Sequence, residues 1–367
     1  MRIGVLTWYK VVNHGAVLQA YALEKCIENY GHEAIMLDYQ RNLDSMDDEL
    51  MKKIIRGIKR FNLSGLQARK ALPKWNKDKK ELFEVFRMNE LHIGEQYDID
   101  QELSATVVGS DMVFDFYEGY NPFMYGKNVV TPFIFSYAAS FGYITEKLFK
   151  SYSESGEIIT LLSKFNGISY RDNNTGILLE KQCGIKNCVK VIDPVMLYSF
   201  INERTQWDTG KWREKKYILI YSYTFNMDKA TEVIAIRKFA KEKGLQVISV
   251  GYYHKWCDIN VNASPYEFVE LFKHAKYVIT DTFHGTVFSL TFGKQFRVVV
   301  RNNAFKVIDL LSDLGIQYLA KNDLQHSLNS FDKAPIDYIQ VDRQINKLRQ
   351  ESMDYLKQQL ITTEGKQ

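Results

Sequence analysis

Strand-like and helix-like segments alternate along most of this chain, and that alternation limits the fold more than any other feature. Short apolar runs such as IGVLTWY (3–9) and YVITD (277–281) are each followed by a segment with apolar residues at helical spacing. This alternation is typical of α/β proteins with parallel sheets. At 367 residues, the chain is long enough for two domains of ordinary size.

Two interruptions of the alternation predict the domain boundaries. A charged, helix-favouring stretch at about 41–97 breaks the first series and indicates a helical insertion, and a Trp-rich stretch at 199–216 indicates a linker. We therefore predict two Rossmann-like domains facing a cleft, at residues 1–205 and 206–338. Residues 339–367 have the pattern of an amphipathic helix that packs back on the first domain.

The predicted insertion is strongly basic. Residues 51–80 contain eleven Lys or Arg and a single acidic residue, although the net charge of the chain is only +4. Within residues 51–61 the apolar side chains fall on one helical stripe and the basic ones occupy the other faces. Such a helix either shows its charges to water or lies on an anionic membrane surface, and the pattern leaves both readings open.

Several classes of protein are disfavoured. The four cysteines lack CxxC spacing, so neither a zinc site, nor any other metal site, nor a disulfide framework is predicted. No window approaches the ~18 apolar residues of a membrane span, and the N-terminal segment reads as a strand rather than a signal peptide. These features favour a cytoplasmic protein, and we predict no nucleic-acid partner.

Polar residues follow several of the predicted strands, where ligands bind in an open parallel sheet. The candidates are Asn13, His14 and Gly15 after the first strand, Ser110 and Asp111 after VVG, Arg171 after ISY, and Thr282, His284, Gly285 and Thr286 after YVITD. A helix N-terminus favours anions, and an imidazole there can act as acid or base.

Each candidate also has a purely structural reading. His284 could hydrogen-bond a helix end, Asp111 could cap a helix, Arg171 could pair with an acid on the surface, and Asn13 and His14 could satisfy their own loop. The DxD pattern at Asp98–Asp100 matches metal-dependent glycosyltransferases but arises easily by chance. The Asp193–Pro194 pair reads as a strand-ending turn.

Taken in order, the motifs resemble those of the polysaccharide pyruvyl transferase family. The resemblance rests on NHGAVLQAYAL, VVGSDMVF, SYAASFG, ISYRD, VIDPVMLY, SPYEF and VITDTFHGTVFS, and the first and last blocks are the most specific. It implies a fold like that of GT-B glycosyltransferases. It also implies transfer of pyruvate from phosphoenolpyruvate onto two hydroxyls of a sugar, in capsule or exopolysaccharide or in a lipid-linked precursor.

The resemblance assigns roles to the candidates. It implies His284 and Arg171 as donor-site residues, with Arg301 as a looser match. We predict His284 as the acid/base residue and Asp111 as a second catalytic group, with Thr282, Gly285 and Thr286 also on the donor. Asn13, His14, Gly15 and Ser110 would face the acceptor. The sequence departs from the usual family pattern at Met112, Phe114 and His14, which affects the acceptor side. Phosphoenolpyruvate is then a substrate, and no cofactor is implied.

Two other functions remain open from the sequence. One is a GT-B-type glycosyltransferase that uses a nucleotide sugar, and it would need an acidic residue in the second domain to hold the ribose. The other is a glycan-binding protein that kept the fold without catalysis. The presence of His284, Arg171 and Asp111 favours an enzyme.

Overall fold

The computed structural model describes residues 1–39, 65–117, 119–301, 305–321 and 323–365. The basic stretch at 51–61 lies outside the described residues, so its predicted helix and membrane contact stay predictions. None of the helices in the described ranges is long and apolar enough to cross a membrane.

A parallel sheet forms the centre of the first domain. Its strands are β1 (Arg2–Leu6), β2 (Glu33–Asp38), β3 (Ile93–Gln96), β4 (Ala105–Val108) and β5 (Ile134–Ser136), in the spatial order β3-β2-β1-β4-β5. Two further parallel strands, β6 (Ser169–Tyr170) and β7 (Val189–Lys190), join the edge through a bridge between Ala139 and Tyr170. Strands β1, β2, β4 and β5 are largely apolar and buried, because helices cover both faces of the sheet.

The helices of the first domain connect these strands. They are α1 (His14–Glu28), α2 (Gly65–Glu90), α3 (Glu146–Ser151), α4 (Ser155–Leu162), α5 (Asn173–Lys181), α6 (Pro194–Tyr198) and α7 (Glu203–Gln206). The stretch at 41–97, predicted to be helical, contains α2 but ends in β3, which the sequence prediction missed. IGEQ is a short edge strand paired only with β2, and half its residues are polar, so it lacks the apolar run of a central strand.

The second domain repeats the plan. Its strands are β8 (Tyr217–Tyr221), β9 (Gln246–Val250), β10 (Ile259–Val261), β11 (Tyr277–Thr280), β12 (Gln295–Val299) and β13 (Ala320–Lys321), in the parallel order β10-β9-β8-β11-β12-β13. Its helices are α8 (Ala230–Glu242), α9 (Pro265–His274), α10 (Phe283–Thr291), α11 (Phe305–Asp313) and α12 (Leu324–Lys333). This doubly wound order reverses between β8 and β11, and ligands bind at that point beyond the carboxyl ends of the strands.

The last helix, α13 (Tyr338–Glu364), lies against the first domain. The Tyr355 hydroxyl donates to the carbonyl of Ser136 at 2.9 Å, and the Ser352 hydroxyl accepts from the amide of Ile192 at 3.0 Å. The chain therefore crosses from the second domain back to the edge of the first sheet.

Helix α2 braces the two domains. The Lys79 ammonium is buried, donates to the carbonyl of Gly251 at 2.9 Å, and lies 4.5 Å from the centre of the Tyr252 ring. Asn262 of the second domain donates to the carbonyl of Trp75 at 2.7 Å. Burial lowers the pKa of Lys79 to about 7. The contacts of Lys79 with Gly251 and Tyr252 therefore lose their charge as the pH rises through neutrality.

Candidate active site

Arg171 lies where three strand ends of the first domain meet. It follows β6, and its guanidinium donates to Asp111, beyond β4, at 2.7 Å and to Asp193, beyond β7, at 3.0 Å. The same guanidinium lies 4.4 Å from the centre of the Phe283 ring, which belongs to α10 of the second domain. The Arg171 side chain is only 2% exposed, so two carboxylates and one aromatic face fix its position.

His284 enters the same site from the second domain. It stands in the first turn of α10, where the Thr282 side chain caps the helix by accepting from the Gly285 amide at 2.9 Å. Its Nε2 lies 3.6 Å from a carboxylate oxygen of Asp193, which is ion-pair distance rather than a hydrogen bond. The two domains therefore each supply part of one charged cluster.

Lys306 completes this cluster. It stands in the first turn of α11, is 5% exposed, and its ammonium lies 2.7 Å from the sulfur of Met112 and 4.6 Å from the centre of the Tyr143 ring. Helix α11 is held against the first domain because Asp309 accepts from the Asn173 amide at 2.7 Å. Lys306 was not predicted as a site residue, because a lysine in the first turn of an amphipathic helix normally faces water.

The charges in the cluster change one another's protonation. Burial alone would raise the pKa of Asp111, but the positive charges of Arg171, His284 and Lys306 outweigh it and lower the pKa to about 2. For Asp193, burial is likewise outweighed by His284 and Arg171, so its pKa is lowered. Burial and the charge of Arg171 lower the pKa of Lys306 to about 8. Both carboxylates are therefore ionised at neutral pH.

Two buried nitrogen atoms in the cluster make no hydrogen bond within the protein, although one of them has the ion-pair contact with Asp193 described above. These are Nε of Arg171 and Nε2 of His284, both with almost no solvent contact. Buried donors are nearly always satisfied, so such orphans need an explanation. Together with the Lys306 ammonium and the helix N-terminus, they form a receptor for an anion with more than one charged group.

The residues predicted on the acceptor side are mostly buried. His14 is fully buried, its Nε2 lies 2.9 Å from the carbonyl of Ala263, and its ring stacks on Phe268 at 4.5 Å. Burial, and then the charge of Lys79, hold the pKa of His14 well below its usual range, so the neutral ring donates this bond. The prediction that His14 faces the acceptor is corrected, because its ring fills the contact between domains.

Asn13 and Ser110 also serve the protein itself. The Asn13 side chain caps α1 by accepting from the Ala16 amide at 3.2 Å, and its amide group donates to the Tyr252 hydroxyl at 3.4 Å. The Ser110 hydroxyl is fully buried and donates to the side-chain oxygen of Gln19 at 2.8 Å. Ser110 is therefore not open to an acceptor.

Three of the residues predicted on the donor are engaged elsewhere. Thr286 is fully buried and donates to the carbonyl of Thr282 at 3.1 Å. Gly285 is a packing requirement, since a Cβ there would collide with the hydroxyls of Thr280 and Thr282. Arg301 donates to both carboxylate oxygens of Glu232, at 2.7 and 3.0 Å, so its guanidinium is already paired.

Gly15 packs against the ring of His284, and we expect it to hold that ring in position. A Cβ at Gly15 would lie less than 3.0 Å from three atoms of His284, so an added methyl group must displace the ring. We expect Gly15→Ala to lower turnover by about 10²-fold, because small misplacement of an acid/base group has effects of this size. The measurement is kcat beside a thermal unfolding curve.

Gly156 is the matched control for this variant. It also lies in the first turn of a helix, α4, and a Cβ there would meet nothing within 4 Å. Gly156→Ala should leave kcat unchanged and the melting temperature equal or slightly higher. Equal kcat values in the two variants would show that Gly15 does not position His284.

Among the described residues, two possible cation sites and one cavity share no residue with this charged cluster. Two sets could hold a cation by distance, Glu24 with Glu28 and His92, and Asp208 with Glu270 and His274. Their carboxylates already contact basic side chains, namely Lys25 in the first set and Arg213 and Lys273 in the second. A cavity of about 510 Å³ lies beside the linker and is lined by Trp207 and Tyr266 among others. None of the site residues predicted from the sequence lines it.

A model of the family described as polysaccharide pyruvyl transferase matches residues 13–303, which include Asp111, Arg171, Asp193 and His284. The chain belongs to the polysaccharide pyruvyl transferase family. The family assignment and the class of enzyme, a transferase of polysaccharide biosynthesis, are therefore confirmed. No curated protein matches the chain.

Solved structures with a similar fold include two UDP-GlcNAc 2-epimerases. The UDP-GlcNAc 2-epimerase from Neisseria meningitidis, bound to UDP-GlcNAc, has a TM-score of 0.53 at 10% identity, over 99% of this chain and 100% of that chain. The UDP-GlcNAc 2-epimerase from Methanocaldococcus jannaschii has a TM-score of 0.51 at 12% identity, over 92% and 93%. At such identities only the fold is comparable, and it confirms two GT-B-like Rossmann domains for this pyruvyl transferase homologue.

Proposed function

We propose that this protein transfers the pyruvate moiety of phosphoenolpyruvate onto two hydroxyls of a sugar, forming a cyclic ketal on a cell-surface polysaccharide or its lipid-linked precursor. The observation that supports this donor is the convergence of Arg171, His284 and Lys306, two of them with unused buried donors. Phosphoenolpyruvate carries a carboxylate and a phosphate, so it needs several cationic groups at one place.

His284 is the group placed to move protons. In the proposed reaction it protonates C3 of the enol, which leaves an oxocarbenium-like centre at C2. The first sugar hydroxyl attacks C2 and returns its proton to the imidazole. The bond from C2 to the phosphate oxygen then breaks, the second hydroxyl closes the ketal, and its proton leaves with the phosphate. One hydroxyl proton thus replaces the one delivered to C3, and the other is carried by the phosphate.

The carboxylates have positioning roles in this proposal. Asp193 lies 3.6 Å from Nε2 of His284 and 3.0 Å from the guanidinium of Arg171, so one carboxylate positions both groups. Asp111, predicted from sequence as a catalytic group, is bound to Arg171, and its low pKa makes it a weak base. We therefore assign Asp111 to the orientation of Arg171 rather than to proton transfer.

The decisive experiment measures phosphate release and product mass together. The protein is incubated with phosphoenolpyruvate and candidate free, nucleotide-linked or lipid-linked sugars. The expected result is release of phosphate coupled to a sugar whose mass has risen by one pyruvate less one water. Phosphate release without this product, or no release with any sugar, would contradict the proposal.

A nucleotide-sugar glycosyltransferase is the alternative that this fold keeps open. Thermal unfolding with phosphoenolpyruvate and with UDP-GlcNAc separates the two. A rise in melting temperature with phosphoenolpyruvate alone supports the pyruvyl donor, since a ligand that binds only the folded state stabilises it. A rise with UDP-GlcNAc alone would support the alternative.

The affinity for phosphoenolpyruvate should depend on the charge of Lys306. Because the pKa of Lys306 is lowered to about 8, its charged form is present below that pH and is lost above it. We expect KM for phosphoenolpyruvate to rise as the pH increases through about 8. Lys306→Arg should move this rise to higher pH, because Arg stays protonated. An unchanged KM profile in that variant would exclude Lys306 from the donor site.

Membrane association remains a proposal from sequence alone. The basic residues at 51–61 would recruit the protein to an anionic leaflet, where each one near the surface contributes ~1 kcal/mol. Changing Lys52, Lys53, Arg56, Lys59 and Arg60 to Glu should abolish salt-sensitive co-sedimentation with anionic vesicles. Equal binding to neutral and anionic vesicles would favour the alternative, in which the basic side chains of this segment face water.

A further inference from the structure

Tyr143 of the first domain adjoins the charged cluster, and Tyr223 of the second domain interacts electrostatically with Tyr143 and Asp111. Tyr143 follows SYAASFG of the first domain and is 40% exposed, and Tyr223 follows β8 of the second domain and is 47% exposed. Phe225, two residues further on, is also 47% exposed. Large aromatic side chains are normally covered, so a group of exposed ones next to a reactive centre indicates a binding surface.

Tyr223 is held in place by the contact between the domains. Its ring lies 5.0 Å from that of Tyr252, whose hydroxyl accepts from the Asn13 side chain at 3.4 Å. Although Tyr223 is 47% exposed as a residue, burial around its hydroxyl raises the pKa of that group, and Tyr143, Asp111 and Asp281 raise it further. The Tyr223 hydroxyl therefore stays protonated and lies within the electrostatic reach of the charged cluster.

The turn that carries Tyr223 is unusual. The Asn226 amide donates to the carbonyl of Tyr223 at 2.9 Å, which closes a tight turn. Its third residue, Phe225, has a φ of 70°, a conformation that Gly or Asn normally supplies. A bulky residue in this region is strained, and such strain is concentrated at functional sites.

Tyr143 is fixed against the other half of the site. Its ring meets Phe305 edge-on, with centroids 5.9 Å apart, and the Lys306 ammonium lies 4.6 Å from its centre. Lys306 in turn contacts Met112, the residue after Asp111. One side of Tyr143 thus adjoins the cationic cluster, and 40% of the residue is exposed to solvent.

We propose that Tyr143 and Tyr223 form the acceptor subsite, where a pyranose ring of the glycan lies on the aromatic faces. This inference rests on the proposed function, because the charged cluster would hold the donor. A pyranose offers an apolar C–H face to an aromatic ring and hydroxyls at its edge, which matches two tyrosines beside a polar centre. Of the four residues predicted from sequence for the acceptor, His14, Gly15 and Ser110 are buried, and the side chain of Asn13 caps α1.

Saturation-transfer difference NMR on the full chain tests the subsite directly. The probes are the methyl β-pyranosides of galactose, glucose, mannose and N-acetylglucosamine, with uridine as a separate arm. In the wild type we expect transfer to the C–H protons of one pyranose face of at least one glycoside. Tyr223→Ala should weaken that binding by roughly three- to tenfold, whereas Tyr223→Phe should retain the stacking.

Tyr318 provides the matched control. It is 44% exposed but precedes β13, so it lies at the amino edge of the sheet, away from the cleft. Tyr318→Ala should leave the transfer unchanged. Transfer to uridine instead of a glycoside, no transfer to any glycoside, or full transfer in Tyr223→Ala would each overturn the subsite.

Donor binding is measured separately by calorimetry with phosphoenolpyruvate. Tyr223→Ala should keep the wild-type affinity for phosphoenolpyruvate, because the charged cluster is unaltered. If the wild type binds glycosides through Tyr223 but does not bind phosphoenolpyruvate, the subsite stands and the proposed donor fails. If phosphoenolpyruvate binds and Tyr223→Ala has no effect on glycosides, the proposed function stands and the subsite fails.

Discussion

His284→Ala is expected to lower the turnover of phosphoenolpyruvate by about 10²–10⁴-fold, the usual contribution of a positioned acid/base group. The fold should survive, because His284 has no hydrogen-bond partner at Nε2, and its loss leaves Asp193 paired with Arg171. The measurement is kcat by phosphate release, with circular dichroism and a thermal unfolding curve on the same sample.

His274 is a matched control for this variant. Its side chain is 13% exposed against 11% for His284, and it also faces a carboxylate, Asp208, at 3.0 Å. His274→Ala should retain wild-type kcat. His284→Gln, which can donate a hydrogen bond but cannot titrate, should keep donor binding and lose turnover. Wild-type kcat in His284→Ala would remove the residue from the mechanism.

Arg171→Lys is expected to raise KM for phosphoenolpyruvate by roughly 10- to 100-fold, the effect of losing a charge-assisted hydrogen bond. A lysine keeps the charge but cannot reach Asp111 and Asp193 at once, and it cannot present the free Nε–H to a ligand. Arg171→Ala would remove the hydrogen-bonded cation from the buried Asp193 and the largely buried Asp111, and it should lower the free energy of unfolding by about 3–5 kcal/mol. The Lys variant therefore gives the clearer kinetic test.

Arg297 separates binding from stability in this experiment. It is buried, lies 4.2 Å from the centre of the Phe331 ring, and donates to backbone carbonyls around α12. Arg297→Lys should lower the melting temperature without changing KM. If Arg171→Lys lowers the melting temperature but also leaves KM unchanged, Arg171 is structural only.

The sequence predicted the architecture well because its strands and helices differ in their pattern of apolar residues. Runs such as YVIT and YILIY are apolar without interruption, as strands buried on both faces must be, and Ser264 with Pro265 marks the start of α9. Strand β3 was missed because an edge strand can be short and polar. Its pairing with β2 is a tertiary contact that local pattern does not encode.

The site was predicted only in part, for a different reason. Strand-end position identified His284 and Arg171, but it could not tell which strand-end residues point into the cleft and which cap helices, as Thr282 does. Asp193 was interpreted as a turn residue, and it does cap α6, but it also holds Arg171. Lys306 was missed because its burial depends on α11 docking against the other domain.

The contact between His284 and Gly15 joins the two domains at the site itself. The ring belongs to the second domain and lies over a helix of the first, while its carboxylate neighbour Asp193 is in the first domain. Any rotation that separates the domains takes the proton source away from Asp193 and Arg171 at once. In an opened protein the proposed donor site would itself be divided, because Arg171 belongs to the first domain and His284 and Lys306 to the second. Donor binding and proton transfer would therefore both require the closed arrangement of the two domains.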